Sequence, residues 1–167
     1  MKLIETPRRG GTMSNSDARV EVFVFSSDSI TNIWAGYGAR TWAVRAGDSS
    51  ATKAKITKSA RFAPGSFGLL YCKPWKAFTV PFVSITAPDT QRSEREIWHD
   101  EWILPFTFAP LSGPTGRLMG DELYDLLEGV GNNFSNYLSV QGNFDFQPSS
   151  ILRKDWELII RKLSSDA

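Results

Sequence analysis

The stretch VEVFVFSSDSITNIWAGYGARTWAVRAG, residues 20–47, poses the central question. VEVFVFSS (20–27) alternates and is rich in Val and Phe, which is the pattern of a strand. DSIT (28–31) opens a turn or a short helix. RTWAVRA (40–46) reads as a second strand. Between and within these segments stand Trp34 and Trp42, with Tyr37 between them and glycines at 36, 38 and 47. A mid-strand ring such as Trp42 is expected to be buried. Trp34 lies at a segment end, where pockets open, and is the ring expected to face a ligand.

Outward from this stretch, SSATKAKITKSARFAPGS (49–66) is polar and basic and reads as a loop or short strand ending in a Pro-Gly turn. FGLLYC (67–72) is a buried strand. KAFTVPFVSIT (76–86) is another, with Pro81 implying an edge or a bulge. IWHDEWILPFTFAPL (97–111) is a strand bent by Pro105. GDELYDLLEGV (120–130) reads as a helix and NFDFQ (143–147) as a strand. PSSILRKDWELIIRKL (148–163) reads as a closing helix, with apolar positions at Ile151, Leu152, Trp156, Ile159, Ile160 and Leu163. The sum is five or six mostly antiparallel strands and two or three short helices, an α+β barrel, partly open, or a sandwich. The expected organisation is a flexible polar arm over 1–17 and one domain over 18–167.

Six tryptophans and eleven phenylalanines in 167 residues exceed what a core of this size needs, so some rings are expected to serve recognition. The net charge is only +1, but it is segregated. Arg40 to Lys76 carries eight Lys/Arg against one acid, a local +7; residues 77–130 carry three Arg against nine acids, a local −6. The basic segment could meet phosphates, and the plain alternative is a set of solvated loops. The single cysteine, Cys72, lies in an apolar run and suggests a small buried hydrophobe in a reducing compartment. No apolar run reaches the roughly 18 residues of a membrane span. A cytoplasmic protein that meets no membrane is expected.

Signs of catalysis are sparse. His99 is the one histidine and adjoins Asp100, so the pair would point to opposite faces of a strand. No GxSxG, GxxxxGK[ST] or GxGxxG motif occurs. With one His and one Cys, no zinc site and no cofactor is expected. The acids Glu94, Glu96, Asp100 and Glu101 leave one enzymatic alternative, a small metal-dependent nuclease or hydrolase. Asp121 and Glu122 are better read as helix N-terminal charges. Trp102 and Trp156 read as core, and Trp75 as either a nucleic-acid contact or a cover for the barrel end.

The order FVFSS, NIWAGYG, APGSFGLLYC, AFTVPFVSITAPDT, IWHDEWILPFTFAPL and PSSILRKDWELIIRKL, spanning roughly residues 20–163, resembles the PUA-like superfamily, and within it the EVE and YTH branches. The ordering carries the resemblance more than any single motif. It implies a non-catalytic domain that sandwiches one flipped, modified base, expected to be methylated, in an aromatic cage. In YTH members that base is N6-methyladenine in RNA; in prokaryotic relatives tied to modification-dependent restriction it is a modified base in DNA. By position, Trp34 matches the first cage tryptophan and Trp98 the second. Ser26 and Ser27 stand where the base edge is bonded, with Tyr37 nearby. Arg40, Arg45, Lys53, Lys55, Lys58 and Arg61 would carry phosphates. The implied partners are nucleic acid with a modified base, DNA or RNA, and an effector nuclease or NTPase. Two departures bear on the base-edge contacts: Ser-Ser-Asp replaces the family's Lys-Ser-[Glu/Asn], and Gly65-Ser66 replaces its GD.

Overall fold

The computed structural model describes residues 18–140 and 145–165. The expected arm over 1–17 and the first two residues of the expected NFDFQ strand lie outside them. Among the described residues there are eight strands: β1 (Arg19–Ser27), β2 (Thr41–Arg45), β3 (Phe67–Cys72), β4 (Ala77–Ser84), β5 (Ser93–Glu94), β6 (Trp102–Pro110), β7 (Leu118–Met119) and β8 (Ser149–Leu152). Five helices accompany them: α1 (Ile30–Ala39), α2 (Ser49–Ser59), α3 (Leu123–Leu126), α4 (Phe134–Tyr137) and α5 (Arg153–Ser165). The sheet runs β2-β6-β4-β3-β1-β8, with β5 added to β6 and β7 to β4. Its path does not close, and among the described residues only β1 and β3 pair in parallel. The α+β, partly open, mostly antiparallel architecture thus stands, with more short elements than the sequence suggested.

β1 is buried on both faces, and the pleat sorts its side chains. Phe23 and Phe25 enter one core; Val22 and Val24 enter the other. The first core holds ten aromatic rings, among them Trp42, Trp98 and Trp102. Edge-to-face and tilted pairs such as Phe23–Phe62 (4.8 Å) and Phe62–Phe106 (4.6 Å) fill it. The apparent surplus of aromatics is therefore largely interior packing. The second core lies under α5, whose Trp156, Ile159 and Leu163 are buried.

Both prolines expected to disturb strands do so. The β3–β4 register shifts at Val80-Pro81, and Val80 takes φ +47°. The β2–β6 register shifts opposite Leu104-Pro105, and Leu104 takes φ +59°. Each bulge adds a residue, so Phe78 faces the second core while Phe82 faces the first.

Several segments differ from the expectation. NIWAGYG lies within helix α1, capped by the Ser29 side chain on the Asn32 N–H and stopped by Arg40 at φ +55°. The basic stretch 49–59 is helix α2, started by Asp48 accepting from the Ala51 N–H. It lacks an apolar stripe, so periodicity could not reveal it. SSIL, expected to begin the last helix, is strand β8, paired antiparallel to β1. The helix expected over 120–130 is a 3₁₀ turn (Gly120–Glu122) followed by the single turn α3. A buried carboxylate then holds the chain beyond it: Asp155 accepts from the Glu128 and Gly129 N–H groups (3.0 and 2.9 Å) and from the Tyr137 hydroxyl (2.7 Å). Burial, and then the bond to Asp155, push the Tyr137 phenol far up from its ordinary range.

Candidate nucleic-acid interface

A cleft of about 180 Å³ opens where β1 ends. The Ser27 hydroxyl donates to the Ser29 carbonyl (2.9 Å) and accepts from the Ser29 N–H (3.1 Å), turning the chain out of the strand into α1. That turn places Ser26, Ser27 and Asp28 on one wall with Asn32 of α1. Trp42 and Trp102 are among the residues lining the cleft, their ring centroids 6.5 Å apart at 63°, with Trp42 1% and Trp102 7% exposed. Arg45, Lys55 and Lys73 supply positive charge, with Asp28 and Asp145 opposing them. Among the described residues no hydrogen bond engages the Ser26 hydroxyl or the Asn32 side-chain amide. The buried indole N–H of Trp102 also has no partner. An unpaired buried donor costs about 1–3 kcal/mol.

The charged groups are tied down unequally. Lys55 donates to the Arg45 carbonyl (2.7 Å) and lies 3.5 Å from the Asp145 carboxylate. Burial raises the Asp145 carboxyl above its ordinary range, against the downward pull of Lys55, Lys58 and Lys73. Lys73 pairs with Asp28 at 3.4 Å, and Arg45 with Asp100 at 2.9 Å; both pairs are exposed. Arg45 also lies over the Trp102 ring, 5.3 Å from its centroid.

The residues proposed from sequence fall into two places. Ser26, Ser27, Arg45 and Lys55 line the cleft. Trp98 does not line it; it is 3% exposed and stands behind, its ring 5.5 Å from Trp42 and 5.0 Å from Trp102. Its indole N–H donates to the Asn32 carbonyl. Trp34 does not line the cleft either. It is 43% exposed, donates to the Pro114 carbonyl and meets Trp75 at 6.2 Å. The structure therefore does not set Trp34 and Trp98 against each other across one slot. Tyr37 donates to the Ser112 carbonyl and carries the Arg40 guanidinium over its ring at 4.4 Å. Lys53 and Lys58 lie on α2, with Arg61 just beyond it; Lys53 and Arg61 are exposed.

Trp42, Trp102, Asn32 and Lys73 were not among the site residues read from sequence. A mid-strand ring such as Trp42 is expected in the core, where it lies at 1% exposure, while its residue also lines the cleft. The available signal was its strand, which starts directly after the helix that follows FVFSS.

Three of the four acids of the enzymatic alternative are engaged separately. Glu94 accepts from the Glu96 and Ile97 N–H groups, Glu101 pairs with Arg95, and Asp100 with Arg45. Among the described residues no three metal-ligating side chains converge. None of the described helices is long and apolar enough to cross a membrane.

Fold and cleft together define a mixed-sheet domain with a polar-edged slot, lined in part by Trp42 and Trp102, at the end of its first strand. Solved structures of similar fold include YTH domains, and the fold of this chain is YTH-type. One is the Pho92 YTH domain in complex with m6A (TM-score 0.58, 12% identity, 96% of this chain and 91% of that one). A second is the Toxoplasma CPSF4 YTH domain with a 7-mer m6A-modified RNA (TM-score 0.58, 15% identity, 88% and 92%). A third is the Mmi1 YTH domain in complex with RNA (TM-score 0.56, 12% identity, 92% and 84%). No protein-family model and no curated protein matches the sequence.

Proposed function

We propose that this chain is a non-catalytic reader that takes one methylated base of a single RNA strand into the cleft between Ser26, Asn32, Trp42 and Trp102. The observation that carries this reading is the meeting, in one small slot, of Trp42 and Trp102 with the Ser26 hydroxyl and the Asn32 amide, neither of which is hydrogen-bonded among the described residues. About 180 Å³ is below the roughly 300–1,000 Å³ of drug-sized pockets, so it suits a single planar heterocycle. The Ser26 hydroxyl and the Asn32 amide offer donors and acceptors to a base edge. A base leaving its stack loses a few kcal/mol; stacking on an aromatic wall returns about 1–3 kcal/mol. A methyl group buried against indole adds about 1 kcal/mol of preference.

The YTH-type fold supports this reading, because YTH structures of the same fold hold m6A and m6A-modified RNA. Membership of the wider PUA-like superfamily belongs to the same reading. A methylated base in DNA, with the domain as the specificity part of a restriction factor beside an effector nuclease or NTPase, is its alternative form. The test is a binding titration with four short single strands: RNA and DNA, each with and without one N6-methyladenine. The proposal expects the methylated RNA to bind about tenfold or more tightly than its unmethylated twin. Equal affinity for all four strands would refute it; preference for methylated DNA would select the alternative form.

A further inference from the structure

A second aromatic surface lies beside the cleft, and we infer that it is a stacking platform for the nucleotides flanking the bound base. This inference rests on the reading of the cleft as an RNA site. Trp34 leads the platform. Its ring, 43% exposed, meets Trp75 edge-to-face at 6.2 Å, and its N–H is fixed by the Pro114 carbonyl at 2.9 Å. The guanidinium of Arg117 covers Trp75, 3.7 Å from the ring centroid. Arg40 caps Tyr37 on the same helix as Trp34 at 4.4 Å.

Three features make this a nucleic-acid surface. First, Trp34 is held rigidly by its hydrogen bond while its ring stays in water. An indole that only sealed the barrel end would be buried, as Trp42, Trp98 and Trp156 are. Second, the local cations Arg40, Lys76 and Arg117 are exposed and pair with no carboxylate among the described residues. Aromatic rings interleaved with unpaired cations suit bases and phosphates; guanidinium planes themselves accept stacked bases. Third, the platform is continuous with the cleft. Lys73 lines the cleft and begins the tight turn 73–76 that presents Trp75, and its own N–H is held by the Ser27 carbonyl at 3.0 Å. A strand whose base enters the cleft past Lys73 has Trp75 and Trp34 as its next stacking surfaces.

The test measures binding of three probes, the N6-methyladenosine nucleoside and a short single-stranded RNA with and without the methylated base. The proteins are wild type, Trp34→Ala and Arg117→Ala. Both side chains are exposed, so the fold is kept. The platform predicts that each substitution weakens both RNAs by the same factor, about tenfold for the indole. It also predicts an unchanged methyl preference and unchanged nucleoside affinity. RNA affinities equal to wild type in both variants would overturn the platform and leave the face to a protein partner. Nucleoside affinity falling as far as RNA affinity would also overturn it, since Trp34 would then act through the cleft. Loss of methyl preference in the wild type, with Trp34→Ala still weakening both RNAs, would sink the cleft reading and sustain the platform.

Discussion

The Trp98 indole N–H donates to the Asn32 carbonyl across 3.0 Å, joining the loop before β6 to the helix that edges the cleft. Trp98 touches Trp42 and Trp102 from behind while its nitrogen holds the first turn of α1. The ring therefore sets the distance between the polar wall and the aromatic wall. Trp98→Phe should lower stability by about 1–2 kcal/mol, from a lost hydrogen bond and lost ring area. It should also weaken ligand binding without removing any group from the cleft. Urea unfolding and a nucleoside titration measure the two effects; unchanged binding would show that Trp98 is packing alone.

Gly36 lets α1 lie flat on the same indoles. A Cβ there would stand 2.8 Å from the Thr41 carbonyl oxygen, 2.9 Å from the Trp42 ring and 3.0 Å from the Trp98 ring. Gly36→Ala should force helix and sheet apart, costing about 1–3 kcal/mol despite the better helix propensity of alanine. Gly38, two residues further along α1 with open space around it, is the control: Gly38→Ala should be neutral or stabilising. Thermal unfolding of the pair tests the contrast.

Asp145 makes the cleft pH-sensitive. Its carboxyl is raised by burial, so the folded state binds a proton more readily than the unfolded chain does. Stability from this group is therefore greatest at low pH and declines as pH rises from the ordinary carboxylate value through the raised one. Protonation also removes a negative charge facing Lys55, leaving more positive potential for phosphate. RNA affinity should rise on mild acidification, and Asp145→Asn should give that gain at neutral pH and flatten the profile. Affinities measured across the carboxylate range check the sign.

The cationic rim should announce itself in salt dependence. Arg45 and Lys73 are well exposed, and their pairs with Asp100 and Asp28 add little to stability. Arg45→Ala or Lys73→Ala should change unfolding free energy by under about 0.5 kcal/mol. If each meets one phosphate, each should reduce the slope of log affinity against log salt by about 0.7. Equal slopes in wild type and variants would place the phosphates elsewhere.

Strands were legible where alternation and β-branched or aromatic residues agreed, as in β1, β3 and β4. Pro81 and Pro105 gave away their bulges because a residue without an N–H cannot hold a ladder position. Helix α2 was hidden because its sequence is polar on every side, and α1 because its glycines mimic turn punctuation. β8 was hidden because Ile151 and Leu152 extend the apolar spacing of α5. At the site, Ser26 and Ser27 were readable as a strand end. Trp42 was not, since nothing local distinguishes a core indole from one whose far edge walls a cleft; that depends on where β6 returns with Trp102. Trp34 stands out in the sequence for its place at a segment end and its match to the first cage position, and the structure places it beside Trp75.

The most direct test follows the six indole N–H signals by two-dimensional NMR while N6-methyladenosine nucleoside is added. The account predicts that Trp42 and Trp102 shift most, with Trp98 following through ring contact, while Trp34, Trp75 and Trp156 stay in place until a longer RNA is supplied. Shifts at Trp34 and Trp75 with Trp42 and Trp102 unmoved would contradict it and transfer base recognition to the outer surface.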